Sequence, residues 1–95
     1  MDIITCHTNA DFDSFASMVA AKKLYPEAKA VFPGAQEKAI RDFLLKTHYD
    51  LPLEKIKNIK LQDISRLILV DTRIPSRIGK FADILGKEGL KIHIY

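Results

Sequence analysis

Directly after a short apolar run, the chain places a histidine and two aspartates close together: His7, Asp11 and Asp13, in the stretch Cys6-His7-Thr8-Asn9-Ala10-Asp11-Phe12-Asp13-Ser14. A further carboxylate, Asp71, follows at once on Leu67-Ile68-Leu69-Val70. Imidazole and carboxylate are the side chains of proton transfer and of divalent-ion binding. Helix capping explains part of this, since Asp and Ser are favoured N-caps and carboxylates suit the positive end of a helix dipole. Capping occupies one or two of these residues and leaves His7 and a second carboxylate without a task. If the two apolar runs are neighbouring strands, His7, Asp11, Asp13 and Asp71 converge. Three carboxylates so placed repel one another, and a cation is needed to hold them ionised. A mixed imidazole and carboxylate set suits Mn²⁺, Zn²⁺ or Fe²⁺ better than Ca²⁺. Two such ions about 3.5–4 Å apart, bridged by one carboxylate, build a hydrolytic site. Capping with surface charge, and an ion site, both stand at this point.

The elements that must position these groups follow from the hydrophobic pattern. Residues 2–6 read as a short buried strand, and 14–25 as a helix with Phe15, Met18, Val19 and Leu24 near one face. Tyr25-Pro26 stops that helix, because the residue before proline avoids the helical region. Residues 28–32 read as a second strand. Pro33-Gly34 turns the chain into a helix over 35–47, with Ala39, Ile40, Phe43 and Leu44 as its apolar stripe. Residues 48–58 are ambiguous: Pro52 interrupts them, and Ile56 and Ile59 could anchor a loop or a short strand. The unbroken apolar strand 66–71 reads as buried on both faces, as in a parallel sheet. The pattern Ile78, Phe81, Ala82, Leu85 predicts a third helix over 76–86, and 90–95 alternates like a strand. Alternating strands and helices predict an α/β fold: an open, mainly parallel, Rossmann-like sheet of four to five strands in a three-layer arrangement. Ligands of such sheets bind beyond the carboxyl ends of the strands, near the switch point, which is where the first loop and Asp71 fall.

The 95 residues suffice for one small domain. No stretch approaches the ~20 apolar residues that span a bilayer, and no signal-peptide pattern is visible, so the expected compartment is the cytoplasm, with no membrane partner. The single cysteine, Cys6, permits no internal disulfide and reads as a small buried hydrophobe. A net charge of +3 permits an anionic partner without demanding one.

The two motifs together, "HTNADFDS" and "LILVDT", resemble those of the DHH phosphoesterase superfamily, which includes single-strand exonucleases, small-oligonucleotide phosphodiesterases and family II inorganic pyrophosphatases. The first motif, His-x-Asn/Asp-x-Asp-x-Asp-Ser, is matched by His7, Asn9, Asp11, Asp13 and Ser14; the second, an aspartate closing a buried strand, by Asp71-Thr72. The resemblance implies that His7 and Asp11 ligate one manganese ion, that Asp13 ligates another, and that Asp71 bridges them, with Mg²⁺ as an alternative metal. Asp11, Asp13 and Asp71 would then carry catalysis on nucleotides or nucleic-acid phosphodiesters. The wording "NADFDSFASMVAAKKLYPEAKAVFPGAQEKAIRDFL" is most similar to a branch in which a DHH domain is joined to CBS domains and a tRNA nucleotidyltransferase/poly(A) polymerase head. The similarity spans essentially the whole chain. The naming Asp-His-His motif normally follows the next strand, here "KIHIY", and the chain stops at Tyr95. The chain is therefore expected to be the amino-terminal piece of such a domain, lacking the third motif and the substrate-binding domain. Its ion site would be half built, weak or empty alone, and the piece inactive by itself, its partners being the other domains of a parent chain and a nucleotide or RNA phosphate.

Several neighbouring residues carry two readings. Asn9 and Ser14 could touch substrate phosphate at the helix N-terminus, or make only local backbone hydrogen bonds. Arg73 and Arg77 either share the edge with Asp71, where arginine suits phosphate, or are surface charges. His93 reads as part of a strand, and His48 as structural. Against hydrolysis by bound ions stand a haloacid-dehalogenase-like phosphatase suggested by "DFDS", a receiver domain, and a non-catalytic nucleotide- or tRNA-binding regulatory module. The dehalogenase reading needs its aspartate directly at the strand end, whereas "CHTNA" intervenes. An unfinished sheet would expose an edge through which copies could associate.

Overall fold

The computed structural model describes residues 1–46 and 51–95. Strand β1 (Asp2–Thr5) lies at the centre of a five-stranded, wholly parallel sheet. On one side are β2 (Lys29–Val31) and β3 (Leu53–Glu54); on the other are β4 (Arg66–Leu69) and β5 (Lys91–Ile94), giving the order β3-β2-β1-β4-β5. The order reverses between β1 and β4, which pair with Ile3 beside Leu67, Ile4 beside Ile68 and Thr5 beside Leu69. The expected open parallel α/β sheet is present, at the upper of the two expected strand counts.

The reversal determines what covers each face. Right-handed crossovers that run first one way and then the other place their connections on opposite faces. Helices α1 (Phe12–Leu24) and α2 (Lys38–Lys46) share one face, where Phe15, Met18, Ala21 and Ile40 pack with Ile4, Cys6, Ala30 and Ile68. On the other face Ile3, Val31, Leu67 and Leu69 meet Ile64, Ile78, Phe81 and Ile84. Because side chains alternate along a strand, β4 contributes to both cores, and all of Leu67 to Val70 are buried.

Three sequence expectations are corrected. Helix α1 begins at Phe12 rather than at residue 14, with Asp11 as its N-cap, and Tyr25 closes it as expected. Helix α2 begins at Lys38, and its Ala39 is exposed; the loop before it is held away from helix by a bridge between Ala10 and Gln36. The third helix is replaced by two 3₁₀ segments, Pro75–Arg77 and Gly79–Ile84. Gly79 at φ +59° breaks the α path between them, while Ile78 and Phe81 are still fully buried. In the ambiguous stretch, Pro52 immediately precedes β3, and Ile56 and Ile59 are half-buried beside a 3₁₀ turn. His48 lies outside the described residues. No helix among the described residues is long and apolar enough to cross a membrane.

Candidate metal centre

The first loop, residues 6–10, is pinned by backbone bonds from both sides. Thr8 N–H donates to Arg77 O at 2.7 Å and Asn9 N–H to Ala35 O at 2.9 Å, while Ala10 O accepts from Glu37 N–H at 2.9 Å. Asn9 takes a left-handed turn at φ 58°, a conformation that asparagine tolerates better than most residues. The second tip is built similarly. Val70 N–H donates to Thr5 O at 3.0 Å and carries the ladder past β4, after which Asp71 turns at φ 60°. The two tips lie side by side because β1 and β4 are direct neighbours.

Between them, His7 is buried and its ring orientation is determined. Nδ1 lies 2.8 Å from Thr8 O, and a carbonyl oxygen only accepts, so Nδ1 carries a proton. In the neutral ring the lone pair is then on Nε2. Nε2 faces Asp71 Oδ2 at 3.3 Å and Ser14 Oγ at 2.7 Å. Ser14, fully buried, also lies 2.9 Å from Asp11 Oδ1 and 3.0 Å from Asp71 Oδ2. A hydroxyl has one proton. Three acceptors, Nε2 and an oxygen from each of two carboxylates, thus converge on that single proton, and Nε2 faces Oδ2 with electron pairs on both sides. Ligand atoms of His7, Asp11 and Asp71 all fall within 4.8 Å of one another. A surplus of acceptors over protons in a half-buried cleft is chemistry that a divalent cation would satisfy, and the three side chains are of the types that bind one, without naming a particular ion.

The carboxylates differ in their supports. Asp11 caps α1: the Ser14 N–H at 2.9 Å, then the Ser14 hydroxyl, hold its carboxyl below the usual aspartate range. Asp71 Oδ2 accepts from the Ser14 hydroxyl at 3.0 Å, has no second side-chain donor among the described residues with the His7 ring neutral, and is exposed. Beneath them, burial first, and then the charges of Asp71 and Asp11, push the Cys6 thiol up to about 12. Cys6 is a closed, protonated core residue, as the sequence suggested.

Of the four expected ligands the structure gathers His7, Asp11 and Asp71. Asp13 stands apart in the first turn of α1, exposed, beside a surface hollow lined by Phe12, Phe15, Ala16, Val19 and Phe43. Ser14 lies inside the cluster rather than on its rim. Asn9 is exposed, with its backbone N–H on Ala35. Arg73 is exposed and makes no hydrogen bond or ion pair among the described residues. Arg77 does reach the site, with Nη2 at 3.5 Å from His7 Nδ1. His93 lies elsewhere, its Nδ1 hydrogen-bonded with Tyr25 Oη at 2.8 Å. The part played by Ser14 was partly legible, since an aspartate N-cap accepts from the N–H of the residue three positions on, here Ser14. The approach of Arg77 depends on the 3₁₀ turn and left no trace in the periodicity.

An open parallel sheet with side chains gathered at its switch point defines an α/β protein with a site of the ligand-binding kind. Beyond that class, the chain is 52% identical over 96 aligned positions to part of an A-adding tRNA nucleotidyltransferase of Geobacter sulfurreducens. The match covers all of this chain and 11% of that protein, which supports the expected link to tRNA nucleotidyltransferases and leaves room for other domains in a parent chain. No protein-family model matches the chain, and no solved structure does.

Proposed function

We propose that this chain is the cation-binding part of a DHH-type phosphoesterase domain, carried within a larger protein related to tRNA nucleotidyltransferases. The observation that carries the reading is the acceptor surplus: His7 Nε2, Asp11 Oδ1 and Asp71 Oδ2 all lie within hydrogen-bond distance of the one Ser14 hydroxyl. His7, Asp11 and Asp71 would hold an Mn²⁺ or Mg²⁺ ion. Asp13, one turn away on α1, would serve a second ion together with ligands that the described residues do not supply. Bound there, such ions lower the pKa of water and offset charge developing on a phosphoryl group.

The chain's own residues do the positioning. The Thr8 carbonyl keeps the His7 proton on Nδ1 and so presents Nε2 to the cleft. Ser14 holds Asp11 and Asp71 at a fixed separation. The N-terminus of α1 favours negative charge on Asp11. The substrate class consistent with the site and with the relative's chemistry is a nucleotide or nucleic-acid phosphodiester. The parent protein would be the enzyme; this chain alone would take up Mn²⁺ at the three gathered ligands and turn over little.

Titration of Mn²⁺ into the chain, followed by electron paramagnetic resonance, tests the reading, with assays of dinucleotide hydrolysis on the longer protein. Wild type should take up Mn²⁺. His7→Ala and Asp71→Ala should each weaken uptake by about tenfold or more, the scale of losing one coordinating group. Uptake that is indifferent to both substitutions refutes the assignment.

A further inference from the structure

The Arg77 guanidinium stands against the outer edge of the His7 ring, Nη2 at 3.5 Å from Nδ1. That contact is not a hydrogen bond. The Nδ1 proton is already directed at the Thr8 carbonyl, 2.8 Å away, so two donors face each other. Arg77 makes no ion pair among the described residues, although Asp71 flanks the same imidazole. Its donors are therefore uncommitted, while its root is fixed. The Arg77 carbonyl accepts from Thr8 N–H at 2.7 Å, and Arg77 N–H donates to Ile74 O at 3.0 Å to close the 3₁₀ turn. Two residues on, Gly79 packs so closely on Pro33 that an added Cβ would lie 2.6 Å from the Pro33 carbonyl oxygen.

The result is an exposed cation held one imidazole width from the acidic cluster, with His7 between them. The two charges share a mouth without neutralising each other. A tetrahedral oxyanion seated there would meet the guanidinium on one side and the cation-binding group on the other. An arginine fork matches two phosphate oxygens at once, which a lysine ammonium does not.

We infer that Arg77 is the residue that grips the phosphoryl group of the substrate, an inference that rests on the phosphoesterase reading above. Arg73, nearer in sequence to Asp71, has no such tether to the first loop.

The test uses inorganic phosphate as the probe and the Mn²⁺-loaded chain as the receptor. Phosphorus-31 relaxation reports whether phosphate resides near the manganese, and calorimetry gives its affinity. Arg77→Gln should weaken phosphate binding about tenfold, as expected for a lost charge-assisted pair, and leave Mn²⁺ affinity within about twofold. Arg77→Lys should restore only part of the loss. Lys46→Gln, which removes one positive charge from the exposed end of α2, should change neither quantity. Mn²⁺ uptake with phosphate binding absent, or indifferent to Arg77, overturns the inference alone. A loss at Arg73→Gln as large as that at Arg77→Gln does the same. Failure to take up Mn²⁺ overturns the phosphoesterase reading and this inference with it.

Discussion

Asp71 shows at the scale of one residue how the cluster is balanced. Its left-handed backbone at φ 60° suits asparagine as well as aspartate. An amide at this position would supply a second donor beside the Ser14 hydroxyl, facing His7 Nε2, and would remove one of two adjacent negative charges. Asp71→Asn is therefore expected to stabilise the cation-free chain by about 0.5–1 kcal/mol, a rise of several degrees in Tm. On the proposed cation-binding reading, Mn²⁺ should raise the wild-type Tm through linkage, and the same substitution should abolish that rise. Thermal melts with and without Mn²⁺ check both halves, and a lower cation-free Tm for the variant contradicts the acceptor-surplus argument. At this scale the sequence was informative about residue types and less so about roles. His7, Asp11 and Asp71 were legible because each follows an apolar strand or precedes a helix, so topology alone brings them together. The place of Asp13 was not, because the direction a side chain takes in the first helical turn depends on which residue caps the helix. The N-cap is Asp11, and the helix starts two residues earlier than the periodicity indicated.

Among the elements, strands and the first helix were well signalled, since β4 is continuously apolar and Tyr25-Pro26 punctuates α1. The segment between β4 and β5 was misjudged in an instructive way. Its periodicity correctly named Ile78 and Phe81 as core residues, yet the backbone is 3₁₀ because Gly79 sits at φ +59° against Pro33. Burial follows the spacing of side chains, and hydrogen bonding follows the torsions that glycine permits. This close approach ties the turn bearing Arg77 to the loop after β2, whose Gly34 in turn lies close to Thr8 in the first loop. Gly79→Ala should therefore destabilise by about 2 kcal/mol or more, the sum of a left-handed penalty and a backbone clash. Denaturant unfolding would measure it. A change under ~0.5 kcal/mol would mean that the contact is not tight. Hydrogen exchange at the Thr8 amide should accelerate in the same variant, because its acceptor belongs to the displaced turn.

For the molecule as a whole, the sheet is protected unevenly. Strand β5 is an edge in the described residues, and Ile92, Ile94 and Tyr95 are 40%, 54% and 59% exposed. An apolar parallel edge is a template for further pairing. Sedimentation of the isolated chain is expected to show association that grows with concentration, and Ile94→Lys should reduce it without lowering Tm by more than a few degrees. A monomer at every concentration tested speaks against an adhesive edge. The parallel topology has one further effect. His7 and Asp71 are 64 positions apart, and β1 lacks its β4 neighbour until that strand follows it off the ribosome. Helix α1 can dock on β1 and β2 early, whereas the cluster of His7, Asp11 and Asp71 is assembled only once residue 71 has cleared the exit tunnel. In any shorter nascent chain the three groups remain apart.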